Sequence, residues 1–237
     1  KCCSAANEAI RALSIPIAGV CWGVMSLCGL AQAALSTPAL PGGSGLVRPV
    51  NTISVRQILE SGANMKAVDD VVYISGTIDP DQDARLRDIA LIMARGGMAP
   101  SLVVFLANEG GHLGAAMRLG RLIRQLGANT AVTGMCASAC IYAYAGGARR
   151  VTTPDSRLLL HQARRADGRG GTAAEDEQVA RIRYQYLEEM GVDPVLVAWE
   201  AELAPNQMRW VISGEALAAR LATERLAAED IPLPADD

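Results

Sequence analysis

An alternation of chain patterns beginning at Val71 constrains this sequence more than any other feature. Residues 71–78 are apolar and rich in β-branched side chains, and residues 81–95 place Leu86, Ile89, Ala90 and Met93 at helical spacing. Residues 102–107 are almost wholly apolar again. The helical pattern returns over 113–126 through Met117, Leu119, Ile123 and Leu126, and 130–135 is a third strand-like run. A strand that is apolar on both faces must be covered on both faces. Strands separated by single helices with short connections join as right-handed parallel crossovers. The sequence therefore predicts an α/β domain with parallel core strands. Further on, a helix is expected at 139–145, strands at 150–153 and 157–161, and helices at 174–190 and 194–204. Ser213 is expected to cap a last helix running from Gly214 to about Ala228. No internal repeat is visible.

The segment ahead of this core differs from it. Residues 13–30 are nearly all apolar and are followed by Ala31-Gln32-Ala33, a small-x-small triplet of the kind signal peptidase cuts after. The run is long enough for either an export signal or a single membrane anchor, and both readings stay open. Residues 1–33 are thus expected to be a signal peptide or N-terminal anchor. Residues 34–70 form a linker and lead-in, Pro-, Gly- and Ser-rich over 36–49 with a candidate helix at 55–62. The α/β domain is expected over 71–230, with 231–237 as a tail.

Composition narrows the chemistry. Half the residues are hydrophobic, a fifth are charged and the formal net charge is −3. Such a chain has the apolar content for a packed core and lacks the basic patch of a nucleic-acid binder. Only two histidines occur, His112 and His161, so a multi-histidine metal site is excluded and none is expected. Six cysteines occur with no Cys-x-x-Cys pair, which removes the zinc-ribbon and thioredoxin patterns.

The remaining candidates sit where strands end. The second strand runs into Asn108-Glu109-Gly110-Gly111 before a helix, a turn whose glycines can aim backbone amides at an oxyanion. The third runs into Gly134-Met135-Cys136-Ala137-Ser138-Ala139-Cys140. There a serine stands between alanines, small enough for a substrate to reach its oxygen. Ser138 reads either as a nucleophile or as a plain helix cap. His161 closes a later apolar strand and reads as the candidate base or as a satisfied structural histidine, while His112, adjacent to Gly111, reads as a surface residue in the first turn of its helix or as one that approaches the site.

Several separated motifs in this order resemble the Clp-type serine peptidases of the ClpP/crotonase superfamily. The pattern there is an apolar strand ending in Pro-Gly-Gly, then Ala-Ser-Met-Gly, Ala-Gly-Ala, a basic pair, and Pro-Asn-Ser-Arg leading to His-Gln. Here stand Glu109-Gly110-Gly111, Ala137-Ser138-Ala139-Cys140, Ala145-Gly146-Gly147, Arg149-Arg150, and Pro154-Asp155-Ser156-Arg157 leading to His161-Gln162. The resemblance covers residues 71–221. It implies a spiral of repeated β-β-α units with a C-terminal helical part. It makes Ser138 the nucleophile and His161 its base, with an oxyanion hole built from Gly110, Gly111 and Ala139. The third member would be an acid on the helix after Gly191: Glu200 falls nearest, then Glu202, then Asn206.

The closer likeness is to exported or membrane-anchored bacterial relatives with Cys-x-Ser-Ala-Cys at the nucleophile turn. It implies an ATP-independent serine endopeptidase acting on peptides or unstructured segments outside the cytoplasm. No cofactor and no ATPase partner would be needed, and self-assembly is expected. A Ser–Lys dyad is disfavoured, because Lys66 is the only lysine beyond Lys1 and precedes the first strand. In an exported chain Cys136 and Cys140 could join around Ser138, yet their spacing across a strand–helix turn is awkward, so packing is the default. Residues 163–177, where the Clp-type fold has its handle, read as solvated. Two other readings stand beside the peptidase: a catalytically silent scaffold or maturation factor, and a crotonase-type acyl-CoA enzyme.

Overall fold

The computed structural model describes residues 65–162, 172–204 and 206–233. They belong to one compact unit, Val47–Asp237. The apolar stretch 13–30, the candidate helix at 55–62, the loop 163–171 and the last four residues lie outside the described part. Among the described residues no helix is long and apolar enough to cross a membrane.

The predicted alternation is present. Strands β1 (Met65–Val68) and β2 (Val71–Ile78) are followed by α1 (Gln82–Arg95), β3 (Leu102–Gly111), α2 (Leu113–Gln125), β4 (Asn129–Ala137) and α3 (Ala139–Ala145). Next come β5 (Arg150–Thr152), β6 (Arg157–His161), α4 (Ala173–Glu189), α5 (Val195–Ala201), β7 (Met208–Val211), α6 (Ser213–Ala218) and β8 (Glu224–Arg225). The sheet order is β1-β2-β3-β4-β5-β8, with β6 pairing β4 and β7 pairing β6. Pairing is parallel from β2 to β8, whereas β1 on β2 and β7 on β6 are antiparallel.

One detail of pairing creates the site. Strand β4 pairs with β5 through Thr130–Val132 and then with β6 through Met135–Ala137. The change of partner falls at Gly134, whose φ of +70° is one that glycine adopts without strain. Beyond this bend, the ends of β4 and β6 run side by side, and they carry Ser138 and His161.

Side chains alternate across the sheet as the pleat requires. Val72, Ile74, Val103 and Phe105 face the larger apolar cluster under the helices; Val71, Tyr73, Val104 and Leu106 face a smaller one closed by Ile231. The C-terminal part departs from the sequence expectation here. The last helix ends at Ala218 rather than near Ala228, because Arg220 turns the chain with φ of +53°. The chain then adds β8 to the sheet edge, and its final segment covers the second face. The buried Arg150 guanidinium fixes that turn by donating to the carbonyls of Gly147, Arg220 and Leu221 at 2.7–3.0 Å. Ser213 is the first residue of that helix rather than its cap. The helix expected at 194–204 ends at Ala201, and β1 and β7 are strands the sequence pattern did not reveal.

Helices α2 and α3 meet backbone to backbone. A Cβ on Gly146 would lie 2.1–2.5 Å from backbone atoms of Gly120. Gly146→Ala should destabilise the fold by roughly 1–3 kcal/mol, as overpacking of a tight core does, read as a lower urea midpoint at unchanged slope. Burial raises the phenol pKa of Tyr73 and Tyr142 to about 12 and that of Tyr144 and Tyr186 further still. Their neutral forms therefore favour the fold fully below the ordinary value of 10.0, and that contribution fades as pH rises through about 12. Alkaline titration should show tyrosinate absorbance for these four rings appearing together with loss of circular dichroism, not before it.

Candidate active site

A cleft of about 850 Å³ lies at the strand ends and is lined by Glu109, Gly111, His112, Ser138, Ala139, Tyr142, His161, Arg183 and Glu200, among others. Its floor is the turn from β4 into α3. Ser138 sits at φ +54°, ψ −123°, a region sparsely used by residues with a side chain. Such a conformation costs on the order of 1–3 kcal/mol and persists only where the surroundings impose it.

Three surroundings are visible. The Ser138 amide donates to the Leu159 carbonyl at 2.8 Å, tying the turn to β6. The end of β3 presses against it: a Cβ on Gly110 would lie 2.5 Å from the Ala137 carbonyl oxygen, 2.8 Å from the Ala139 nitrogen and 2.9 Å from Ser138 Cβ. The third is a covalent bond. Cys136 and Cys140 form a disulfide with Cα atoms 5.4 Å apart, which corrects the expectation that they merely pack. The spacing looks awkward for a regular segment, but the left-handed Ser138 folds the five-residue stretch back on itself. That brings the Cα atoms within the usual disulfide range.

The amides are disposed unequally. Gly110 N–H is already taken by Asn108 Oδ1 at 3.0 Å, so Gly110 shapes the turn and is not a donor to a ligand. Gly111 and Ala139 both line the cleft. Ala139 begins α3, where an amide has no intrahelical acceptor. Asn108 itself is fully buried and is not a candidate on sequence grounds; only its place before the glycine pair hints at a role.

His161 ends β6 and is partly exposed. Its Nδ1 lies 2.6 Å from the Gln162 carbonyl oxygen. A carbonyl can only accept, so Nδ1 carries the hydrogen and Nε2 is the basic nitrogen. His112 caps α2, with Nδ1 accepting from the Ala115 amide at 3.0 Å.

Of the three candidate acids, Glu200 lines the cleft and is 3% exposed, while Glu202 and Asn206 are exposed and outside it. Glu200 is not bound to His161. Arg183 of α4, itself 8% exposed, donates to Glu200 Oε2, and the Tyr142 hydroxyl stands 3.3 Å from both carboxylate oxygens. Burial holds Tyr142 protonated, so its hydroxyl is the donor. Nor does a hydrogen bond join Ser138 to His161 among the described residues. Sequence reasoning misses Arg183 because it stands between Ile182 and Tyr184 on a helix of mixed polarity, with no local sign of its partner Glu200.

The comparisons with known proteins agree with this architecture. The family model described as Clp protease matches residues 64–190, more than half of the chain. The chain belongs to the Clp protease family. Among solved structures it is similar to ClpP1 from Listeria monocytogenes, at 20% identity and a TM-score of 0.53 over 68% of this chain and 93% of that one. A point mutant of the same Listeria protein matches at 19% identity and a TM-score of 0.52, with the same coverage. At this identity the structures speak for the fold: an α/β ClpP fold with a mostly parallel mixed sheet. No curated protein matches the chain.

Removing one partner of a buried ion pair strands the other charge, at a cost of about 3–5 kcal/mol. Arg183→Met alone should therefore destabilise by about that much, and the double variant Arg183→Met/Glu200→Met by less than either single change. Urea midpoints of the three variants measure this. A double variant as unstable as the sum of the singles would show that the two side chains do not depend on each other.

Proposed function

We propose that this chain is a serine hydrolase that cleaves peptides or unstructured protein segments without ATP. The observation that carries the reading is Ser138. It is a non-glycine residue held at positive φ, at the head of a helix, in one cleft with His161 and the Gly111 and Ala139 backbone. Strain of this kind concentrates where a side chain must be presented for chemistry.

The reaction follows from the atoms in place. Ser138 Oγ attacks the substrate carbonyl carbon while His161 Nε2 takes its proton. The oxygen that becomes negative is held by the Gly111 and Ala139 amides, a kind of contact worth about 2.7–4 kcal/mol per donor in comparable sites. The imidazolium keeps its Nδ1–H on the Gln162 carbonyl and returns the other proton to the leaving amine. Water then hydrolyses the acyl-enzyme by the same steps in reverse. Glu200 supplies the acidic third member from the cleft wall, where its charge favours the imidazolium.

In this proposal the protein works outside the cytoplasm, released after Ala33 or anchored through residues 13–30, as an assembly of like subunits. A second reading has an observation of its own. Glu200 is committed to Arg183 and Tyr142, and Ser138 is not bonded to His161, which is the arrangement of a scaffold that keeps the residues without using them.

A fluorophosphonate probe separates the two. The full chain should be labelled covalently, and labelling should vanish in Ser138→Ala and fall at least a hundredfold in His161→Ala. Absence of labelling in folded wild-type protein would leave the scaffold reading in its place.

A further inference from the structure

The disulfide encloses the proposed nucleophile. Cys136 is the last-but-one residue of β4, paired with Asn108 on one side and Leu158 on the other. Cys140 is the second residue of α3. Between them lie only Ala137, Ser138 and Ala139, and both cysteines are fully buried in the main core. One end of the bond is thus fixed to the sheet and the other to the helix, with the strained residue spanning the gap.

Resting on the hydrolase reading, we propose that the Cys136–Cys140 bond is a positioning device for Ser138, so that the chain is a competent hydrolase only when oxidised. A nucleophile turn usually relies on glycines two residues either side of the serine, which lets neighbouring backbone approach without a Cβ. Here those positions are Cys136 and Cys140, and the close approach is supplied from outside by Gly110. The bond replaces the missing backbone freedom with a covalent closure. Broken, it leaves two thiols whose sulfurs must separate to van der Waals distance inside a packed core, and the turn can relax to an ordinary helix-cap conformation.

The redox step balances. Two cysteine thiols lose two protons and two electrons to the disulfide of a thiol oxidant, which leaves as a dithiol, and reduction by a dithiol is the reverse. Because both cysteines are buried, exchange requires local opening of the turn. The bond therefore forms most readily during folding, in a compartment that supplies such an oxidant, and exchanges slowly afterwards.

The test compares fluorophosphonate labelling rates of the full chain in three forms. These are folded under oxidising conditions, folded and kept in dithiothreitol, and reoxidised, with thiols counted by alkylation and mass. Labelling should be at least tenfold slower in the reduced form at unchanged circular dichroism, and reoxidation should restore it. Cys136→Ala/Cys140→Ala should match the reduced form and, lacking both sulfurs of this pair, should not recover. Equal labelling of the oxidised and reduced forms would overturn the proposal while leaving the hydrolase reading intact. Alkylation of Cys136 and Cys140 themselves, located by peptide mass, in active, oxidatively folded protein would do the same. A chain that folds only when oxidised would make the bond a general staple and would also overturn it. Labelling of neither form would remove the hydrolase reading, and this inference with it.

Discussion

The contact between the end of β3 and the turn after β4 is the constraint on which the site depends. No side chain fits between Gly110 and the backbone of Ala137–Ala139. That contact fixes the distance between two neighbouring parallel strands at the point where both leave the sheet. Around it the rest is arranged: Asn108 holds the Gly110 amide, Gly134 lets β4 exchange one partner for another, and β6 delivers His161 beside Ser138. The left-handed Ser138 is the local cost of this geometry. It is offset by the Leu159 hydrogen bond, by packing, and by a covalent link.

The charges in the cleft are arranged differently from the backbone. Arg183, Glu200 and Tyr142 form a buried group in which every member answers to another, and His161 is oriented by a carbonyl of its own chain. A carboxylate this buried needs a permanent counter-charge. Arg183 meets that need when the imidazole is neutral. When His161 becomes cationic during the proposed reaction, a second positive group joins Arg183 in the cleft that Glu200 lines. The ion pair is thus compatible with a supporting electrostatic role that does not require Glu200 to touch the imidazole.

How much of this is legible in the sequence varies with the range of the interaction concerned. The α/β alternation can be read because apolar strands and amphipathic helices carry their own periodicity. The glycine pair, Ser138 and His161 stand out because each ends a strand, and parallel strands place such ends on one edge. What escapes depends on long-range partners. Arg183 is polar on a helix of mixed polarity and acquires its meaning only from Glu200, 17 residues away. Strands β1 and β7 are four residues each, too short for alternation to register. The helix expected to reach Ala228 stops because of Arg220, whose carbonyl is held by Arg150, 70 residues earlier. The Cys136–Cys140 bond escapes for a local reason: spacing alone gives no sign that Ser138 takes a positive φ.

The central claim is that this strained turn presents Ser138 Oγ to a carbonyl whose oxygen meets the Gly111 and Ala139 amides. A crystal structure of the phosphonylated protein tests it most directly. The account predicts phosphorus on Ser138 Oγ, with the phosphoryl oxygen within hydrogen-bond distance of both amides and Cys136 still joined to Cys140. An adduct on another residue, or a phosphoryl oxygen turned away from those amides, would contradict it.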